Sequence, residues 1–206
     1  MPARRSDADR RASKAPIWRE IGPSALGERL LRPEEAARME VRGRTDAAVL
    51  LALYGWPEEP GLIFTERRAD LRRHAGEISF PGGRQDSGDA DLAATALREA
   101  EEEIGLDPAT VELRGALPPT ATFVTGYRVH PFVGEVANPA ELGLTPNPTE
   151  VETVLTFSLD LLARGYEMRR LIRRGVPIHT PTYEVEGHLI WGATARILGD
   201  LIDRLG

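Results

Sequence analysis

The sequence predicts an α/β domain, a sheet with helices on both sides. Residues 47–53 (AAVLLAL) form an unbroken apolar run, the mark of a strand buried on both faces. Ala93, Leu97, Ala100 and Ile104 step by four, three and four, an apolar stripe that docks one face of a helix. Strand and helix candidates then alternate along the chain, a pattern that layers helices on a sheet.

The elements follow in order. Residues 26–41 hold helical material, with Pro33 at a start position for a second helix. The strand at 47–53 is closed by Gly55-Trp56-Pro57, and residues 62–65 are its hairpin partner. Phe80-Pro81-Gly82-Gly83 reads as a tight loop whose bare backbone lets a ligand come close, with Phe80 as a packing anchor. The striped helix comes next and ends at Gly105, a C-terminal signal. Residues 111–117 and 129–136 are strands, and 138–148 is a loop rich in Pro, Asn and Gly. A strand at 151–157, a short helix at 159–163, two strands within 166–185 and a closing helix at 190–205 complete the chain.

Composition narrows the function classes. With 206 residues, one domain (21–206) is expected, able to bury about 70% of its unfolded surface. The absence of cysteine excludes disulfides, thiolate metal sites and a cysteine nucleophile. There is no apolar run of membrane-spanning length. Residues 1–20 lack an apolar secretory core and read as a disordered tail, and the expected location is the cytoplasm. A net charge of −6 argues against non-specific nucleic-acid binding, which relies on neutralising phosphates.

The chemistry concentrates on the striped helix. Glu99, Glu102 and Glu103 lie three or four apart and share one turn. Like charges at that spacing each destabilise a helix by roughly 0.2–0.5 kcal/mol, and a cation among them reverses the sign. Carboxylate oxygens suit hard divalent ions, and Mg²⁺ takes a few of them together with water and substrate phosphate.

These residues resemble the Nudix hydrolase signature. Its second half stands complete as Arg98, Glu99, Ala100, Glu101, Glu102, Glu103, Ile104, Gly105 and Leu106. Its first half departs: counting from Gly83, Asp89 stands where glutamate is usual, and eight residues rather than seven precede Arg98. The loop is one residue longer, with Asp86 and Asp89 both available near a metal. A second resemblance is to the coenzyme A pyrophosphatases of that family. It rests on Ile63-Phe64-Thr65-Glu66-Arg67, then Arg72, His74, Gly76 and Phe80-Pro81-Gly82-Gly83. Arg68 stands where that pattern usually has a small residue, and Glu77 where glutamine is common. Residues 190–198, Leu117-Pro118-Pro119-Thr120 and His130-Pro131-Phe132-Val133-Gly134 also look like that subfamily.

The resemblance implies a Nudix-type α/β/α sandwich with a mixed β-sheet. It also implies a diphosphatase that uses Mg²⁺ or Mn²⁺ and cleaves coenzyme A or acyl-coenzyme A to adenosine 3′,5′-bisphosphate and a 4′-phosphopantetheine. Glu99 and Glu103 are the expected metal ligands, with Glu102 a further ligand or the base that activates water. Glu102, Glu103 and Arg98 form the catalytic set, in which Arg98 is expected to pair with an acidic neighbour and hold the loop on the helix. Arg67, Arg72, His74, Gly82 and Gly83 are the substrate-binding candidates, since arginine forks suit phosphate. His130, His179 and His188 lack metal-ligand spacing and are taken as structural. A general base outside this segment is not placed; Glu135 and Glu150 are candidates by neighbourhood. Two alternatives stay open: a Nudix diphosphatase for ADP-ribose, NADH or a dinucleoside polyphosphate, and an inactive nucleotide-binding sensor. Oligomeric state is open too, although many family members are homodimers.

Overall fold

The structure, a computed structural model, describes residues 18, 21–71, 76–122, 126–173 and 175–206. The tail expected at 1–20 lies outside the described residues except at Trp18, which is buried in the core.

Two short helices come first, α1 (Leu26–Arg29) and α2 (Pro33–Ala37), the latter opening on Pro33 as expected. Strand β1 (Thr45–Tyr54) is the axis of the molecule. Its alternating side chains feed two cores, as a strand apolar on both faces requires. Ala48, Leu50 and Ala52 pack in one, and Leu51 and Leu53 in the other. Strand β2 (Gly61–Arg67) repeats the split, with Ile63 on the first side and Leu62 and Phe64 on the second.

β1 and β2 pair only near their hairpin, at Leu53 with Leu62 and Tyr54 with Gly61. Beyond that they splay, and two short strands fill the gap. β3 (Ile78–Ser79) pairs with β2, and β4 (Gly82–Arg84) pairs with β1. The segment expected as a loop at Gly82 and Gly83 is thus a strand. A Cβ on Gly82, whose φ is +154°, would lie 2.3 Å from the Ala48 carbonyl oxygen, so the bare backbone here lets β4 close onto β1. Phe80 is buried and stacks on Phe64 with ring centroids 4.8 Å apart, which anchors the wedge.

Helix α3 (Leu92–Ile104) carries the acidic turn. Asp91 caps its start by accepting from the Ala94 N–H at 2.8 Å. Gly105, in the left-handed conformation at φ +68°, ends it, and the Leu106 N–H bonds back to the Ala100 carbonyl. The fully buried apolar members are Ala96, Ala100 and Ile104, with Ala93 and Leu97 packed beside them. The buried stripe is therefore centred slightly off the expected one, and that offset carries Glu103 inward.

The remaining strands of the large sheet are β5 (Glu112–Ala116), β6 (Thr120–Ala121), β7 (Tyr127–Val136) and β8 (Val151–Ser158). β7 runs parallel to β1 over ten pairs, and every other pairing in the sheet is antiparallel, so the sheet is mixed. Helix α4 (Leu159–Arg164) leads to a second sheet of β9 (Tyr166–Arg173), β10 (Val176–Val185) and β11 (His188–Trp191). Helix α5 (Gly192–Leu205) closes the chain and buries Ile197, Leu198, Leu201 and Leu205. The closing helix was expected from 190, but Ile190 and Trp191 pair with Tyr183 and Thr182 as strand. Gly192, at φ +71°, makes the change of direction into the helix. With α3 on one core and α5 on the other, the layers are those of an α/β/α sandwich with a mixed sheet. No helix among the described residues is long and apolar enough to cross a membrane.

Candidate active site

Three elements converge at the C-terminal half of α3: the helix itself, β4, and the end of β2. Glu99 and Glu103 lie on adjacent turns of one face. The Glu99 carboxylate lies directly over Gly83, where a Cβ would come within 2.4 Å of it. Glu103 is 5% exposed and accepts a hydrogen bond from the Gly82 N–H at 3.2 Å. The two glycines therefore form a floor against which the two carboxylates pack.

Arg67 reaches this floor from β2. A β-bulge between Glu66 and Arg67 shifts the register at the strand end, a device that re-aims a side chain. One Arg67 nitrogen lies 3.5 Å from Glu103 Oε1 and another 3.5 Å from Glu150 Oε2. The guanidinium thus bridges a helix carboxylate and a loop carboxylate. Glu150 is the residue that sequence reasoning could offer only by neighbourhood. The other such candidate, Glu135, is engaged by Arg114 at 2.7 Å.

The electrostatics of the cluster follow from burial. Glu103 is pushed up to about 7, because desolvation outweighs the Gly82 N–H and Arg67, and Glu99 and Glu150 push the same way. Glu99 is also raised, again chiefly by burial and against the pull of Arg98. Glu102 differs: it is more than half exposed, and its Oε2 accepts from Arg98 at 3.0 Å.

Arg98 is tied into the protein. It donates to both carboxylate oxygens of Asp89 at 2.8 and 3.1 Å, to the Arg84 carbonyl at 3.1 Å, and pairs with Glu99 at 3.0 Å and with Glu102. Asp89 in turn accepts from Thr95 Oγ1 and from the Asp86 N–H, both at 2.9 Å. The Arg98 guanidinium holds the Asp89 carboxyl well below the usual carboxylate range. The long loop had suggested that Asp86 and Asp89 both stand near a metal. Instead, Asp89 is turned to Arg98 and the helix start, and Asp86 contributes its backbone to Asp89. A carboxylate that accepts this many donors is an anchor for the loop.

Of the residues expected at the site, Glu99, Glu103, Arg67, Gly82 and Gly83 come together, and Glu102 and Arg98 border them. Arg72 and His74 lie outside the described residues. His130 is buried and faces Asp46 at 3.3 Å, and His188 lies 4.0 Å from Glu66, so both sit in other surroundings. Among the described residues, no three acidic or histidine side chains are gathered in a geometry that would already hold a metal ion. In the present arrangement Arg67 pairs with Glu103, and Arg98 with Glu99 and Glu102.

Residues 44–175 match the family described as the NUDIX domain. The chain is 40% identical over 179 residues to the uncharacterized Nudix hydrolase NudL of Escherichia coli strain SMS-3-5, covering 86% of this chain and 90% of that protein. The NudL of Citrobacter koseri, also described as an uncharacterized Nudix hydrolase, matches with the same identity and coverage. Among solved structures, a MutT/nudix family protein from Enterococcus faecalis superposes with a TM-score of 0.54 at 12% identity, over 98% of this chain and 75% of that one, a likeness of fold.

Proposed function

The chain belongs to the Nudix hydrolase family, enzymes that cleave diphosphate bonds, and on that premise we propose that it hydrolyses the diphosphate of coenzyme A or acyl-coenzyme A. The products are adenosine 3′,5′-bisphosphate and (acyl-)4′-phosphopantetheine. The observation that carries the reading is the placement of Arg67. It belongs to the segment that resembles coenzyme A pyrophosphatases, and its fork lies beside Glu103 and Glu150, where a diphosphate would meet the carboxylates.

The donor set fits a hard divalent cation. Glu103 is a buried carboxylate beside Glu99 and Glu150, offset among the described residues by Arg67 and one N–H. We assign Glu99 and Glu103 to hold Mg²⁺ or Mn²⁺, with Glu150 facing them across Arg67. Such an ion, when bound, neutralises phosphate oxygens and lowers the pKa of a bound water.

The side chains supply the rest. Arg67, displaced from its carboxylates, offers two parallel N–H donors to the diphosphate, a geometry suited to phosphate oxygens. Glu102, the exposed carboxylate of the turn, accepts the proton of the attacking water and returns it to solvent. Arg98 keeps Glu99 and Glu102 in register and ties the preceding loop to the helix. Attack on phosphorus forms one P–O bond as the bridging P–O bond breaks, and the proton leaves through Glu102. Carboxylates this close titrate together, so the pH profile belongs to the set.

A turnover panel tests the proposal. With Mn²⁺ or Mg²⁺, purified protein is expected to convert coenzyme A to adenosine 3′,5′-bisphosphate, measured by chromatography. A kcat/KM tenfold higher for ADP-ribose, NADH or a diadenosine polyphosphate would replace the coenzyme A reading with another nucleotide.

A further inference from the structure

Glu150 is carried on a loop, and a loop side chain that is 48% exposed has no intrinsic reason to face Glu103. Its backbone is fixed from two directions. On one side the loop is bonded to the end of α3. The Thr145 N–H donates to the Ile104 carbonyl and the Asn147 N–H to the Glu103 carbonyl, both at 2.8 Å. These bonds satisfy helix-end carbonyls that otherwise lack partners, and they index the loop to the very residue whose carboxylate Glu150 faces. Asn147 continues the scaffold, its carbonyl accepting from Glu150 and Val151 and its Oδ1 from Thr149.

On the other side stands Arg68. Its N–H donates to the Glu150 carbonyl at 3.1 Å, and its guanidinium donates to the Pro148 carbonyl at 2.7 Å. Asp70 holds the rest of the fork with two bonds of 2.9 and 2.8 Å. Both side chains are exposed, and an exposed ion pair contributes little to stability. What the pair does is geometric: it orients one N–H of Arg68 onto a carbonyl two residues from Glu150. Arg68 also follows directly on Arg67, so one dipeptide touches Glu150 by side chain and by backbone.

We propose that Arg68 is a positioning residue, which clips the Pro148–Glu150 backbone so that the Glu150 carboxylate stands opposite Glu103. The inference rests on the reading of Glu99 and Glu103 as the carboxylates that hold the divalent ion, with the Glu150 charge facing them, and it is independent of which nucleotide is cleaved.

The test is direct titration of the full chain with Mn²⁺ alone, followed by electron paramagnetic resonance, with circular dichroism as a check on folding. Four variants are needed: Glu103→Gln, Glu150→Gln, Arg68→Met and the Arg68→Met/Glu150→Gln double. Met keeps the stem of Arg68 and removes the fork. Glu150→Gln is expected to weaken Mn²⁺ about tenfold, and Arg68→Met to do so by a comparable factor, the scale seen when residues supporting a metal ligand are lost. The double variant should bind no more weakly than Glu150→Gln, because a clip has nothing left to position. If the two losses multiply, or if Arg68→Met lowers thermal stability and leaves Mn²⁺ affinity intact, the clip is refuted. A Glu103→Gln protein that binds Mn²⁺ as the parent does would instead overturn the metal reading itself. If only Glu103→Gln weakens binding, Glu103 keeps its role and the proposal for Glu150 and Arg68 falls.

Discussion

Asp89 and Arg98 form a two-pronged ion pair, Nε to Oδ1 at 2.8 Å and a terminal nitrogen to Oδ2 at 3.1 Å, that locks the glycine-to-helix loop onto α3. Asp89→Asn keeps the shape and removes the charge. It should cost on the order of 2 kcal/mol, the scale of a charged hydrogen bond in a site largely closed to water. Because the folded state depresses the Asp89 carboxyl, this stability is present above the ordinary carboxylate range and is lost as pH falls through the folded value. Urea denaturation at pH 7 and pH 3 measures it. A parent–variant difference that is the same at both would disprove the pairing as the cause.

Glu103 has the opposite sign. Its folded value, about 7, lies above that of an unfolded glutamate, so its contribution favours folding at low pH. That contribution is lost between roughly pH 4.5 and 7 as the buried carboxyl is forced to ionise. In chelator-treated protein, Glu103→Gln should therefore raise the melting temperature at pH 8 and leave it nearly unchanged at pH 4. Added Mn²⁺ should reverse the order at pH 8, since only the parent gains a ligand. Differential scanning calorimetry reports both effects.

The same substitution should act very differently on rate. Loss of one buried, preorganised carboxylate is expected to lower kcat by on the order of 10²-fold or more at saturating Mn²⁺. Chromatographic assay of adenosine 3′,5′-bisphosphate release provides the measurement, and an unchanged rate would remove Glu103 from the chemistry.

Gly82 and Gly83 are adjacent but should fail in different ways. A Cβ at Gly82 meets the backbone of Ala48 and Val49 at 2.3 and 2.6 Å, where nothing can give. Gly82→Ala should destabilise by several kcal/mol through overpacking against backbone and a strained φ. At Gly83 the obstacle is the end of a flexible side chain, the Glu99 carboxylate. Gly83→Ala should keep most of its stability while losing Mn²⁺ affinity as Glu99 swings away. Melting curves alongside Mn²⁺ titrations separate the two, and equal melting losses would refute the distinction.

Much of the molecule was legible in the chain. The apolar run at 47–53 declared a strand buried on both faces, because period-two side chains must reach two cores. The stripe ending at Gly105 declared the helix, and its glutamates the chemistry. The short strands β3, β4 and β6 were not legible, since two or three residues carry no period and pair only because longer strands splay beside them. The inward turn of Glu103 was also hidden: a small rotation of the helix on its core decides which of the three glutamates is buried most deeply.

By itself the sequence determined which residue types could meet a cation and a phosphate, the family, and the main layers of the fold. These follow from local spacing and from the burial that apolar side chains demand. Only the tertiary structure decided that Asp89 anchors the loop, that Glu150 and not Glu135 faces the helix carboxylates, and that Arg67 lies between them. Those outcomes depend on backbone bonds between segments far apart in the chain, such as Asn147 to Glu103 and Arg68 to Pro148. Local periodicity is blind to such bonds, because their partners are set by how the sheet and helices pack.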